Sequence, residues 1–133
     1  MLEIVYSDDE ARIQALRDRL CGGKKSGDAA VILTDGGRDA GLAELSAGDT
    51  VCLKSFKLAP ESDDFFTQDF FFRAILWKLS FNDYTVEIPV CDKRLLKFGF
   101  EEKDGKMQIN SRKIVFPCEC EKAETRFYIS KNT

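Results

Sequence analysis

Ala29-Ala30-Val31-Ile32-Leu33-Thr34, closed by Asp35-Gly36-Gly37, is the stretch on which the fold turns. Ala29 to Leu33 is unbroken apolar sequence with no polar face, and a strand of that kind is buried on both sides, as the strands of parallel sheets are. Upstream, Leu2 to Tyr6 is a short run rich in β-branched and aromatic residues. It stops at Ser7-Asp8-Asp9-Glu10, which fits a Ser-x-x-Glu capping box. Ile13, Leu16 and Leu20 then recur at helical spacing, and Gly22-Gly23 supplies a stop. Strand, helix and strand in that order predict a right-handed βαβ unit. Downstream, Asp39 to Leu45 reads as a short helix, Gly48-Asp49 as a turn, and Thr50 to Lys54 as a third strand.

Pro60, Ser62, Asp63 and Asp64 mark the entry to a further helix, with acids at the positive end of its dipole. Phe65 to Leu79 is the most apolar part of the chain and has two readings. It is either one helix to Leu79, apolar on nearly every face, or a helix ending near Arg73 followed by a hairpin through Asn82-Asp83. The remainder favours β structure: Tyr84 to Val90, Leu96 to Glu102, a Lys103-Asp104-Gly105-Lys106 turn, Met107 to Asn110, Lys113 to Cys118 and Arg126 to Ser130. The expected fold class is α/β, a short parallel βαβ-type sheet followed by a C-terminal antiparallel β meander. One domain is expected over residues 1–133, with the α/β part in 1–80 and the β-rich part in 81–133.

The chain is 133 residues long, 44% apolar and 32% charged, which suits one globular domain. Residues 1–66 carry 13 acids and 8 bases, residues 67–133 10 acids and 12 bases, and no dense basic footprint points to nucleic acid. No apolar run is long enough to span a bilayer, and five cysteines without framework spacing suit reduced thiols, so a cytoplasmic location is expected. The absence of histidine removes the commonest general base, the usual partner of a Ser or Cys nucleophile and the commonest zinc ligand. Cys118-Glu119-Cys120 puts two thiols on one face of a strand. Without two further ligands they read as ordinary strand cysteines, not as zinc ligands.

Asp8 and Asp9 follow the first expected strand, where a parallel sheet places its ligand crevice; Asp35 ends the second and Lys54 the third. In that frame Asp8 and Asp9 could hold magnesium, although helix capping alone also explains them. The aromatic stretch with Phe65, Phe66, Phe70 and Trp77 is either core or, if partly exposed, a surface for a protein partner or a second copy.

Ser7-Asp8-Asp9, Ile32-Leu33-Thr34 and Leu53-Lys54-Ser55-Phe56 together resemble the acidic pair, the switch threonine and the lysine step of two-component receiver domains. Leu96 to Phe100 and Val115-Phe116 are similar to the small N-terminal sheet of the winged-helix response regulators. The resemblance implies a reduced, flavodoxin-like receiver with a pocket of Asp8, Asp9, Thr34, Asp35 and Lys54. The segment that would carry the phosphoacceptor strand is missing between Cys21 and Ala29. The expected function is therefore a non-enzymatic regulatory domain acting through protein contacts, with no required cofactor. The alternatives are a small interaction or inhibitor protein unrelated to receivers, and a magnesium-dependent phosphoryl-transfer enzyme.

Overall fold

The computed structural model describes residues 1–117. It forms one seven-stranded sheet in the order β1-β2-β3-β4-β5-β7-β6. The elements are β1 (Leu2–Ser7), α1 (Glu10–Leu20), β2 (Ala29–Asp35), β3 (Arg38–Ser46), β4 (Thr50–Leu58), α2 (Phe65–Leu79), β5 (Thr85–Ile88), β6 (Glu101–Lys103) and β7 (Lys106–Asn110). Short 3-10 turns lie at Pro60–Ser62, Lys93–Phe98 and Ser111–Lys113. Cys118, Cys120 and the strand expected over 126–130 lie outside the described residues. Residues 114–117, expected as strand, have no regular structure.

The expected parallel βαβ unit is not what forms. β1 and β2 pair antiparallel, Ser7 opposite Ala30 and Leu2 opposite Asp35. The reversal continues at Gly36-Gly37, whose φ angles of +61° and +84° make a two-residue hairpin turn between Asp35 and Arg38. The chain after it is therefore β3 and not a helix. Apart from Gly41, Ala40 to Leu45 is built of good helix formers, yet the whole run is buried between neighbouring strands, so pairing and packing override propensity. The inference that β2 is covered on both faces holds for a different reason. Val31 and Leu33 face a cluster under α2, while Ala30 and Ile32 face a second cluster under α1. An antiparallel central strand with a helix on each side reads like a parallel one.

Capping sets both helices. The cap of α1 is Asp9, which accepts the Arg12 amide, while Ser7 accepts the Asp9 amide one step earlier. At its far end the Gly23 amide donates to the Arg17 carbonyl, with Gly22 and Gly23 at positive φ. α2 runs unbroken to Leu79, which decides between the two readings of that stretch. Phe71, Ile75 and Leu76 are buried against the sheet, and Phe71 stacks on Phe56 at 4.9 Å. Gly41 makes room for it: an added Cβ there would lie 3.3 Å from the Phe71 ring and 3.1 Å from the Lys57 carbonyl.

Between β4 and β5 the chain crosses over through α2, and these two strands are parallel. The segment from Leu96 to Glu102, expected as one strand, splits into the end of the 3-10 turn and β6, with Gly99 at φ +100° between them. The turn at Asp104-Gly105 forms as expected and joins β6 to β7.

Candidate functional site

β4 and β5 share only three rungs, Thr50 with Thr85, Val51 with Val86 and Cys52 with Glu87. β4 then continues to Leu58 and β5 to Ile88 with no further rung, so the two strands part and leave an opening in the middle of the sheet. Just past that point β4 carries a bulge. Glu44 faces Ser55 and Leu45 faces Leu53, which leaves Lys54 unpaired. A parallel pair that separates exposes backbone groups a ligand can use, and α/β sheets commonly bind ligands at such breaks.

Alternation along the strands sorts the side chains around the opening. Val86, Ile88, Met107 and Ile109 point into the core under α2. Cys52, Glu87, Lys106 and Gln108 therefore take the opposite face, beyond the reach of α1, whose apolar contacts are Ala30, Ile32 and Leu42. Glu87 is the hub of this polar strip. It accepts a hydrogen bond from Gln108 Nε2 at 2.9 Å, lies 3.5 Å from Lys106 Nζ, and faces Cys52 Sγ at 3.8 Å. The Gln108 bond, followed by the Lys106 charge, holds the Glu87 carboxyl below its ordinary range, so it is ionised at neutral pH. Burial pushes the Cys52 thiol up, Glu87 adds to the effect, and the thiol stays protonated. On the same face of β4, Ser55 Oγ is buried with no hydrogen-bond partner among the described residues.

The residues expected to form a pocket do not meet. Because β1 and β2 are antiparallel, Asp8 and Asp9 lie past one end of that ladder and Thr34 and Asp35 close the other. Lys54 sits on the β4 bulge, and Asp35 is 3.6 Å from the Met1 amino group. Among the described residues no group of His, Cys, Asp or Glu is placed to hold a metal ion, and no helix is long and apolar enough to cross a membrane. Of the aromatic set, Phe70 packs on the core, whereas Phe65 is 67% exposed and Trp77 lies edge-on to Phe81 at 4.7 Å.

No protein-family model and no curated relative matches the chain. Solved structures do. The ribosomal-protein-S18-alanine N-acetyltransferase of Escherichia coli superposes with a TM-score of 0.59 at 14% identity, over 90% of this chain and 97% of that one. A GNAT-family acetyltransferase from Brucella melitensis, solved with acetyl-CoA, gives 0.64 at 11% identity over 83% and 88%. A GNAT-family N-acetyltransferase from Escherichia coli, solved with CoA, gives 0.59 at 13% over 84% and 81%.

The fold is that of the GNAT acetyltransferases. This overturns the receiver resemblance and the flavodoxin-like sheet, because the mixed, mostly antiparallel topology has no receiver-type edge at which Asp8, Asp9, Thr34, Asp35 and Lys54 could converge. With it go the reading as a non-enzymatic receiver-like signalling module and the magnesium phosphoryl-transfer alternative. The neighbours are acetyl-transfer enzymes, two of them solved with CoA or its acetyl ester.

The helix that starts beside the opening is α2, and a helix N-terminus is a ready anion site only while its amides are free. Here the Asp64 carboxylate already takes the Thr67 amide at 2.8 Å, and the Asp64 carbonyl takes the Gln68 amide. The preceding turn spends the amides of Ser62, Asp63 and Asp64 on Ala59, Pro60 and Ser62 carbonyls, and Glu61 and Asp63 add negative charge. The start of α2 is thus a capped, acidic helix end. Asp64→Ala is expected to lower stability by about 1 kcal/mol in urea denaturation, the usual cost of losing such a cap.

Proposed function

We infer that this protein is an acyltransferase that moves a short acyl group from a thioester to an amine, working on the polar face where β4 and β5 part. The observation that carries the reading is Glu87. It is an ionised carboxylate, hydrogen-bonded to Gln108 and set on the last rung before the strands separate, in a sheet shared with N-acetyltransferases. A carboxylate in that place can hold an acceptor's ammonium group and, once that group has lost one proton to solvent, take a second as the neutral nitrogen attacks. The new C–N bond then forms as the C–S bond breaks, and the departing thiolate takes a proton from water. Cys52 is not needed as an acyl carrier, since its thiol is held protonated and transfer proceeds directly to the amine.

The acidic start of α2 sets the donor preference. A thioester that keeps the amide arm but lacks the nucleotide should serve about as well as acetyl-CoA, because Glu61, Asp63 and Asp64 make that helix end acidic and the Asp64 carboxylate already takes the Thr67 amide. The test is an acetyl-transfer assay on a panel of small amines and peptides, run in parallel with acetyl-CoA and S-acetyl-N-acetylcysteamine. Acceptors gaining one acetyl group, at rates that differ by less than about tenfold between donors, support the reading; tenfold is the effect of one lost interaction of roughly 1.4 kcal/mol. No transfer from either donor to any acceptor overturns it.

A further inference from the structure

At the end of the sheet where the β2–β3 turn lies, beside the turn that precedes α2, an open pocket of about 570 Å³ is lined by Arg12, Arg19, Gly37, Arg38, Asp39 and Glu61. Three guanidinium groups face two carboxylates, so the pocket carries unbalanced positive charge. Two of its arginines are tied to one residue. Asp39 grips Arg12 with both oxygens, at 3.0 Å from Nε and 2.7 Å from Nη2, and its backbone carbonyl accepts from Arg19 Nη2 at 3.1 Å. One residue thus aims two guanidinium groups of α1 at the same space. The Arg12–Asp39 pair also holds that carboxyl below its ordinary range, keeping the brace in place through mildly acidic conditions.

Arg38 enters from the other side and meets Glu61 at 3.9 Å, with both side chains well exposed. A solvated pair of that length contributes little, so a stronger anion displaces Glu61 from Arg38 at small cost. Gly37 also lines the pocket, and an added Cβ there would meet nothing within 4 Å.

We propose that this pocket binds the anionic end, a phosphate or a carboxylate, of a small molecule, gripped by Arg19 and Arg38 against the fixed Arg12–Asp39 pair. Guanidinium forks match both oxyanions in planar, two-pronged geometry, which accounts for arginine and not lysine at all three places. The site lies outside the Cys52–Glu87 strip and does not depend on the transferase reading.

The test uses the intact 133-residue chain. Amide NMR shifts of Gly36, Gly37 and Arg38 are followed while inorganic phosphate, and separately succinate, is added against potassium chloride of equal ionic strength. The expected result is a saturable shift at these amides with at least one of the two anions. Phosphate alone assigns a phosphate-bearing ligand and succinate alone a carboxylate. Arg19→Gln and Arg38→Gln are each expected to weaken binding about tenfold, the effect of one lost interaction of roughly 1.4 kcal/mol. Both side chains are exposed, so the fold is retained and amide dispersion verifies it. Shifts that never saturate and match the chloride control overturn the proposal. So does saturable binding that is undiminished in the Arg19→Gln/Arg38→Gln double variant. Because binding is read without turnover, an inactive transferase leaves the outcome standing.

Discussion

Glu44→Ala is expected to destabilise the protein by about 3–5 kcal/mol, the cost of removing one member of a buried ion pair. Glu44 sits in β3 with its side chain 1% exposed, and its partner Arg17 reaches down from α1 with 4% exposed. The carboxylate accepts from Arg17 Nε on one oxygen. The other takes the Ser26 amide at 2.7 Å, the Ser26 hydroxyl at 2.8 Å and the Gly27 amide at 3.2 Å. One side chain therefore ties α1, the connection after it and the sheet together. Its removal leaves a buried guanidinium whose remaining partners are Gln14 Oε1 and the exposed Glu10. For a domain whose whole stability is about 5–15 kcal/mol, that is a large fraction. The midpoint of urea denaturation reads it, and an unchanged midpoint would refute the assignment. The double replacement Arg17→Met/Glu44→Leu should cost less than Glu44→Ala alone, because no unpaired charge is left behind.

The same carboxylate sets an acid limit. Burial alone pushes Glu44 up, but the Ser26 amide, Arg17 and the Ser26 hydroxyl outweigh it and hold the group below its ordinary range. A carboxyl with a folded pKa below the unfolded one, about 4.3, contributes stability that is complete above the unfolded value. That contribution is lost as pH falls through the folded one. Denaturation midpoints should accordingly drop on acidification below about pH 4, and less steeply in Glu44→Gln than in the parent protein.

Much of the element list was legible and the way the elements join was not. Ser7 to Glu10 and Gly22-Gly23 bracket α1 because caps are local chemistry, and Asp104-Gly105 marks its hairpin for the same reason. Ala29 to Leu33 misled because burial on both faces is a statement about layers, and an antiparallel strand between two helices satisfies it as fully as a parallel one. Gly36-Gly37 held the missing information: two glycines flanked by strand residues form the two-residue turn that reverses β2 into β3. Read that way, Ala40-Gly41-Leu42-Ala43 becomes a strand in which Gly41 leaves room for Phe71.

Legibility of the site was lower still. Cys52, Glu87, Lys106 and Gln108 come from three strands and lie far apart in sequence, so no motif joins them. The available signal was Glu87 itself, a lone acid between Val86 and Ile88, which alternation places on the face away from the core.

Glu87→Gln is expected to reduce acyl transfer by about a hundredfold to ten-thousandfold, the usual contribution of a positioned general base, with little change in KM for the donor. The amide keeps the shape of the side chain and an acceptor for Gln108 Nε2 at the 2.9 Å position, so the strip should stay assembled. What it loses is the charge that faces Lys106 and the lone pair that takes the acceptor's proton. The pH profile separates this role from a merely structural one. Because Gln108 and then Lys106 hold the Glu87 carboxyl down, its basic form persists to below the ordinary glutamate range, and the acid limb of the parent rate should lie there. The rise toward alkaline pH then tracks loss of the acceptor's own ammonium proton. In Glu87→Gln that alkaline rise should remain, while the acid limb set by the carboxylate disappears. A variant with the full parental rate and an unchanged acid limb would remove Glu87 from the chemistry. Gln108→Leu offers an independent reading of the same charge: with the largest influence on the Glu87 carboxyl gone, the acid limb should move upward in pH without abolishing transfer.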